Sequence, residues 1–261
     1  KEKITARFGS EYIPLVREES ARFRLMISFS KIAWFTVSLP FFGFLFCVVW
    51  SILYNFDEAT YTHCKVYNFL PSISAAIGHY KPQKDVWKAA IATQAHTRVL
   101  VLIMYYRYYK ETLYKWAHTF SNLALFTYTI ENTALVTLSF WSSNENYALH
   151  KLSFITFLVM SLLHMTLSCV VTRSCRSPAK DAVEASSFKW KRRMLFANIS
   201  SILLACYFFY RHNTYCEINV YSLFALAEYM VVLTNMGFHM TAAWDFSGRS
   251  LLVSSKGLRI I

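Results

Sequence analysis

Six stretches of 17 to 24 residues, Ile32–Leu53, Trp87–Tyr106, Trp116–Ser139, Lys151–Thr172, Met194–Tyr210 and Ile218–Met240, are apolar enough to read as membrane spans. A spanning helix needs about 20 mostly apolar residues, and in hydrocarbon only a helix or a closed barrel satisfies its own backbone. Connections between the stretches are short except at 54–86 and 173–193, which leaves no room for a separate soluble domain. The expected fold is all-α: a polytopic six-helix transmembrane bundle at 32–246, with a cytosolic segment at 1–31 and a cytosolic tail at 247–261. An aromatic share of 18% suits interfacial belts.

A net charge of +12 invites a nucleic-acid reading, but the positions of the charges argue against it. With alternate connections on alternate sides, one side receives 20 Lys and Arg residues and the other 6, with Arg98 left inside a span. The positive-inside rule places both termini in the cytosol. The run Lys189-Trp190-Lys191-Arg192-Arg193 reads as a stop signal and a contact for anionic lipid. No base-reading motif accompanies it. No stretch resembles a cleavable signal peptide, so the first span is expected to act as its own insertion signal.

Residues 1–31 mix charge with Tyr12, Ile13, Leu15, Phe23, Leu25 and Met26, a pattern for a surface helix on the cytosolic leaflet or for a solvated tail. The first span carries no charge and holds Pro40 and Gly43, and is expected at the lipid-facing periphery. The connection 54–86 carries an apolar stripe of Phe69, Leu70, Ile73, Ala76 and Ile77 followed by Gly78. It predicts a short interfacial helix over the lumenal face. Ser72 and Ser74 there either cap that helix or bond a lipid headgroup, and capping is the simpler role.

Of six cysteines, only Cys64 and Cys216 fall together on the lumenal side, where disulfides form. They are expected to be bonded, with two free thiols the alternative. The sequon Asn198-Ile199-Ser200 falls inside a span and is closed to glycosylation.

The spans also carry groups that a bilayer excludes. Glu228, Asn235 and His239 share one face of the last span, since offsets of 7 and 11 return to within about 20° at 100° per residue. At 1.5 Å per residue, Arg98 lies roughly 16 Å from the lumenal end, Glu131 roughly 12 Å and Glu228 roughly 15 Å. One layer can hold all three, with Asn132, Tyr128 and His96 nearby, either as a packing triad or as part of a site. His164 is either a packing residue or a mid-membrane general base. The depths of the histidines are spread too widely to expect a metal site.

THCKVYNFLPSISAAIG at 62–78, the Arg-containing second span, ENTALVTLSFWSSNE from Glu131, RHNTYCE at 211–217 and EYMVVLTNMGFHMTAAWDF at 228–246 resemble the Frag/DRAM membrane family, in its branch that remodels glycosylphosphatidylinositol (GPI) anchors. The similarity runs from about Tyr12 to Leu252. Gln94 and His96 depart from the family arrangement, which has a His where Gln94 stands. The resemblance implies a multi-pass Golgi protein acting on GPI-anchored proteins, which reacylates lyso-GPI with a saturated chain. No cofactor is implied, and the acyl donor, acyl-CoA or a phospholipid, stays open. Combined with the residues above, it nominates His164, Glu228, Arg98, Glu131 and Asn132 for catalysis. It nominates His63, Arg211, His212, Asn235, His239 and Asp245 for substrate binding. No phosphate loop and no HxxxxD acyltransferase signature is present. The alternative is a non-catalytic subunit that presents lyso-GPI to an acyltransferase.

Overall fold

The computed structural model describes residues 5–8, 11–14, 24–78, 80–176, 182–254 and 257–260. The described residues are mainly helical: α1 (Phe29–Tyr54), α2 (Phe56–Thr60), α3 (Ile73–Gly78), α4 (Gln83–Thr112), α5 (His118–Phe140), α6 (Tyr147–Ser174), α7 (Ala182–Tyr215), α8 (Val220–Met240) and α9 (Ala242–Asp245). The six long helices alternate in direction, so one end of the bundle carries α3 and the other carries the described segments that precede α1 and follow α9.

Four helical stretches, α1, α6, α7 and the run through α8 and α9, are long and apolar enough to cross a membrane. Helices α4 and α5 have the length but carry Arg98 and Glu131, which pair with each other at 2.9 Å and are 2% and 0% exposed.

Helix α1 differs from expectation. It is not peripheral; Ala33, Gly43, Cys47 and Ser51 are buried along one face. These small side chains let α4 approach closely, and a Cβ on Gly43 would stand 3.2 Å from Ala90 Cβ. Close backbone approach through small residues is a common device for helix pairing in membranes. Helix α7 packs along α8 and touches α6 only sparingly. Asn146 caps α6, its side chain accepting from Leu149 N at 3.0 Å.

The terminal end is built from strands rather than from a surface helix. β1 (Thr5–Phe8) pairs with β2 (Glu11–Pro14), while β3 (Arg24–Ser28), β4 (Ser250–Ser254) and β5 (Gly257–Ile260) form an antiparallel sheet in the order β3-β4-β5. Ile27 pairs with Leu251, and both pack against a core containing Phe29, Tyr105 and Phe246. Leu15 and Phe23, part of the expected surface helix, lie outside the described residues.

Candidate functional site

The site residues nominated from the sequence sort into four places. The first is a sealed layer between α4, α5, α6 and α8. Glu131 Oε1 accepts from Arg98 Nη2 at 2.9 Å and from Asn235 Nδ2 at 3.1 Å. Arg98 Nε donates to Tyr128 OH at 3.3 Å, and the guanidinium lies over the Tyr128 ring. Asn235 also donates to Ser161 Oγ at 2.6 Å. His239 Nε2 stands 2.7 Å from Arg98 Nη2 and 2.9 Å from Glu131 Oε1. One imidazole nitrogen cannot accept from the arginine and donate to the carboxylate at once, so only one of these approaches is a hydrogen bond. His164 stacks on His239 with ring centroids 5.5 Å apart, and its Nδ1 donates to Ala124 O at 2.9 Å. Asn132 Nδ2 reaches only Ala95 O, at 3.4 Å.

Glu228 does not join this layer. Its Oε2 accepts from the backbone N–H of Ile73 at 3.2 Å, tying α8 to the start of α3. Depth along a helix says nothing about direction around it. Asn235 and His239 turn toward Glu131, whereas Glu228 turns toward α3.

The second place is a cavity of about 220 Å³ toward the α3 end, and Glu228 is on its wall. Its lining is dominated by apolar side chains, among them Pro40, Trp87, Ile91, Phe157, Ile202 and Phe224. Ser74, Gln94, Ser139, His150 and Asn235 add the polar points. Phe154 and Leu158 of α6 and Ala205, Cys206 and Phe209 of α7 also line it, so it lies along the loosely packed α6–α7 seam. Cys206 and Phe209 are exposed on the outer surface as well. A mostly apolar pocket with a few convergent polar groups is the usual form of a small-molecule site. His164, Arg98 and Asn132 are not on its wall.

Within the cavity, Ser74 Oγ lies 3.1 Å from His150 Nε2, and His150 Nδ1 lies 2.8 Å from Trp141 O. Ser72 rather than Ser74 caps α3, accepting from Ala75 N at 3.3 Å. His150 is absent from the sequence reading because it belongs to no motif. It stands four residues into a helix whose partner segment, 72–78, is some seventy positions away.

The third place is a knot at the α3 end. Cys64 and Cys216 are bonded, with Cα atoms 5.3 Å apart. His63 and His212 pack edge to face beside them, centroids 5.4 Å apart. Arg211 forms an ion pair with Glu217 and donates to Tyr207 OH at 2.9 Å. His63, Cys64 and Cys216 converge closely enough to suggest a metal, but oxidised sulfurs are not thiolate ligands.

Asp245 occupies the fourth place, at the terminal end. It pairs with Lys191, accepts from Tyr105 OH at 2.7 Å and from Ser187 Oγ at 2.5 Å. This separates Asp245 from the cavity, and it corrects the reading of Lys191 as a lipid contact: the ammonium is buried at 2% exposure. The sequon reading holds, since Asn198 is buried and donates to Val231 O and Thr234 Oγ1, both at 2.8 Å.

Comparisons with known proteins show the family. Residues 28–249 match the family model described as the Frag1/DRAM/Sfk1/Cwh43P N-terminal domain. The chain belongs to the Frag1/DRAM/Sfk1/Cwh43P family. Within it, a Drosophila pseudoobscura relative named Post-GPI attachment to proteins factor 2 is 44% identical over 87% of this chain and 89% of its own length. The Drosophila melanogaster protein of that name is 42% identical over 91% of this chain and 92% of its own. A Xenopus tropicalis relative named Acyltransferase PGAP2 is 42% identical over 94% of this chain and 98% of its own. No solved structure matches the chain.

Proposed function

We propose that this chain remodels the lipid of GPI anchors in the Golgi, placing a saturated fatty chain on the lyso-GPI of GPI-anchored proteins. The names of its relatives supply the pathway and the word acyltransferase. The observation that carries the reading is the cavity: an apolar chamber with polar groups at its α3 end and a seam between α6 and α7 to the side. In this reading all six long helices cross the membrane and the termini are cytosolic. The α3 end is lumenal, which is where a disulfide is stable and where the basic residues are fewest.

The anchor lipid enters between α6 and α7, its remaining chain passes among Ile202, Phe157 and Trp87, and its glycerol hydroxyl stays near Glu228 and Ser74. Glu228 is held by Ile73 N through one oxygen, and a carboxylate retains the capacity to accept from a substrate hydroxyl. The layer of Arg98, Glu131 and His239 lies beneath as the floor, with Asn235 shared between floor and cavity.

Filling the cavity tests the reading. Ala205→Trp places an indole in the seam, whereas Leu203→Trp on the exposed face of the same helix does not. In cells lacking the endogenous protein, Ala205→Trp is expected to lose saturated remodelling of a GPI-anchored reporter at normal protein abundance, and Leu203→Trp to retain it. Full remodelling by Ala205→Trp would overturn the cavity as the lipid site.

A further inference from the structure

On the cavity wall a serine hydroxyl, Ser74 Oγ, lies 3.1 Å from a histidine nitrogen, His150 Nε2. Resting on the reacylation reading above, we propose that Ser74 is the acyl-accepting nucleophile, that His150 is its general base, and that an ester of a bilayer phospholipid is the donor. Ser74 lies in the 62–78 stretch, but no motif in the sequence pairs it with His150.

Trp141 O can only accept a hydrogen bond. His150 Nδ1, 2.8 Å away, must therefore carry the proton. In a neutral imidazole the other nitrogen then presents a lone pair. That nitrogen, Nε2, is 3.1 Å from Ser74 Oγ. Nucleophile, base and a third group that fixes the tautomer are the three parts of an activated serine, recognised by geometry and not by chain order. Here the orienting group is a backbone carbonyl in place of a carboxylate.

Three further observations give the pair a purpose. Both side chains line the cavity, so a lipid carbonyl can reach Oγ without entering water. Ser72 supplies the cap of α3, so the Ser74 hydroxyl is not occupied in starting the helix. Gly78 lets α3 lie against the turn that presents Trp141 O, since a Cβ there would meet Ser142 Cβ at 3.3 Å. His150 is also only about 5 Å along α6 from its α3 end, while the cavity continues deeper into the bundle toward Asn235 and Met236. The seam between α6 and α7, lined by Phe154, Leu158, Ala205 and Cys206, opens the cavity sideways, the direction from which a bilayer phospholipid arrives.

Two half-reactions follow. Ser74 Oγ attacks the ester carbonyl carbon of the phospholipid as its proton passes to His150 Nε2. The tetrahedral adduct collapses, the bond to the glycerol oxygen breaks, and that oxygen leaves with the proton from Nε2 as a lysophospholipid. The chain is now an ester of Ser74. The free glycerol hydroxyl of lyso-GPI then gives its proton to Nε2 while its oxygen attacks the Ser74 ester. The bond to Oγ breaks, and Oγ recovers the proton. One ester is broken and one made in each half, with no change in oxidation state.

The test uses the purified full chain in proteoliposomes of phosphatidylcholine carrying a deuterated stearoyl chain. Deuterated stearoyl-CoA is the second arm, and the acceptor is a GPI-anchored protein converted to its lyso form by phospholipase A2. Without acceptor, mass spectrometry is expected to find a deuterated acyl group on the peptide containing Ser74, discharged when acceptor is added. Ser74→Ala is expected to form no adduct and to lose transfer by about 10³-fold or more, with abundance and the Cys64–Cys216 bond unchanged. Ser74→Cys should carry the chain as a thioester that neutral hydroxylamine releases. His150→Gln should slow adduct formation by about 10²- to 10⁴-fold while lyso-GPI binding persists, which a merely structural hydrogen bond would not predict. Wild-type rates from Ser74→Ala overturn the nucleophile and leave the reacylation reading standing. An adduct from stearoyl-CoA alone overturns the phospholipid donor. No transfer by the wild type from either donor overturns the inference and the reacylation reading together.

Discussion

Glu131 and Arg98 form an ion pair at 2.9 Å, 0% and 2% exposed, at the centre of the helix bundle. A pair so placed adds little stability over well-packed apolar residues, but removing one partner strands the other, at a cost of about 3–5 kcal/mol. Glu131→Gln is therefore expected to lower protein abundance sharply, with remodelling falling in proportion. A pulse-chase measurement showing a wild-type half-life for Glu131→Gln would contradict the pairing.

Glu228→Gln is the matched comparison. No cation is left without a partner, and the amide oxygen can still accept from Ile73 N. The loss is that of one charge-assisted hydrogen bond, about 1–2 kcal/mol, so abundance should stay near normal. Remodelling should fall through the cavity. Equal loss of abundance in Glu228→Gln and Glu131→Gln would place the two carboxylates back in one layer.

The contrast between these carboxylates shows what sequence carries and what it leaves out. Hydropathy marks the six long helices, and the 3.6-residue period puts Glu228, Asn235 and His239 on an inward face. Neither says which neighbour an inward residue meets, and that is where Glu228 parted from Arg98. Helix α7 begins at Ala182, twelve residues before the expected span, because its first turns are charged and their apolar stripe is short. The disulfide was legible because the topology isolates two cysteines. The pairing of Ser74 with His150 was not, since a serine in a short interfacial helix and a histidine in a first turn have no periodicity to betray a contact 76 residues apart. The strands at the terminal end were hidden by a mixed polar pattern that suits a surface helix equally well.

Lys191 and Lys189 belong to one basic run, and the structure separates them. Lys191 is 2% exposed, bonded to Ser187 Oγ at 3.1 Å and paired with Asp245. Lys191→Ala leaves the Asp245 carboxylate buried without its cation and is expected to destabilise by about 3–5 kcal/mol. Lys189→Ala should cost less than about 0.5 kcal/mol, the usual range for a surface change. Detergent-solubilised protein followed by thermal aggregation checks this, and equal melting of the two variants would rule out a distinct role for Lys191.

The Cys64–Cys216 bond spans 152 positions. In the chain-entropy model a loop of that size stabilises by about 5 kcal/mol, with measured values often lower. Cys64→Ser with Cys216→Ser should lower the melting temperature and loosen the segment before α3, which Asn219 N also holds through Tyr67 O at 3.0 Å. Hydrogen exchange across 62–72 should rise more than exchange across α5. Uniform change in both regions would mean that the bond supports the bundle as a whole and not the approach to the cavity.

The turn that presents Trp141 O to His150 is closed by Glu145, and this sets an acid limit. Lys84 Nζ donates to its Oε1 at 2.7 Å, and Ser142 N and Oγ donate to Oε2 at 2.9 and 3.1 Å. The Lys84 bond first, and then the Ser142 backbone N–H, hold the carboxyl down from its ordinary value of 4.5 to about 2. Because the folded value is the lower one, the unfolded chain binds more protons between pH 4.5 and 2. The stabilisation is complete above the unfolded value and is lost as pH falls through the folded one. Glu145 is 42% exposed, so solvent screening limits the contribution to a few tenths of a kcal/mol, about 1 at most. Glu145→Gln is accordingly expected to flatten the acid side of the stability profile between pH 4.5 and 2 and to leave it unchanged at neutral pH apart from a small constant offset. Raised salt should weaken the wild-type slope and leave the variant's alone. An acid slope in Glu145→Gln as steep as in the wild type would assign the effect to other carboxylates.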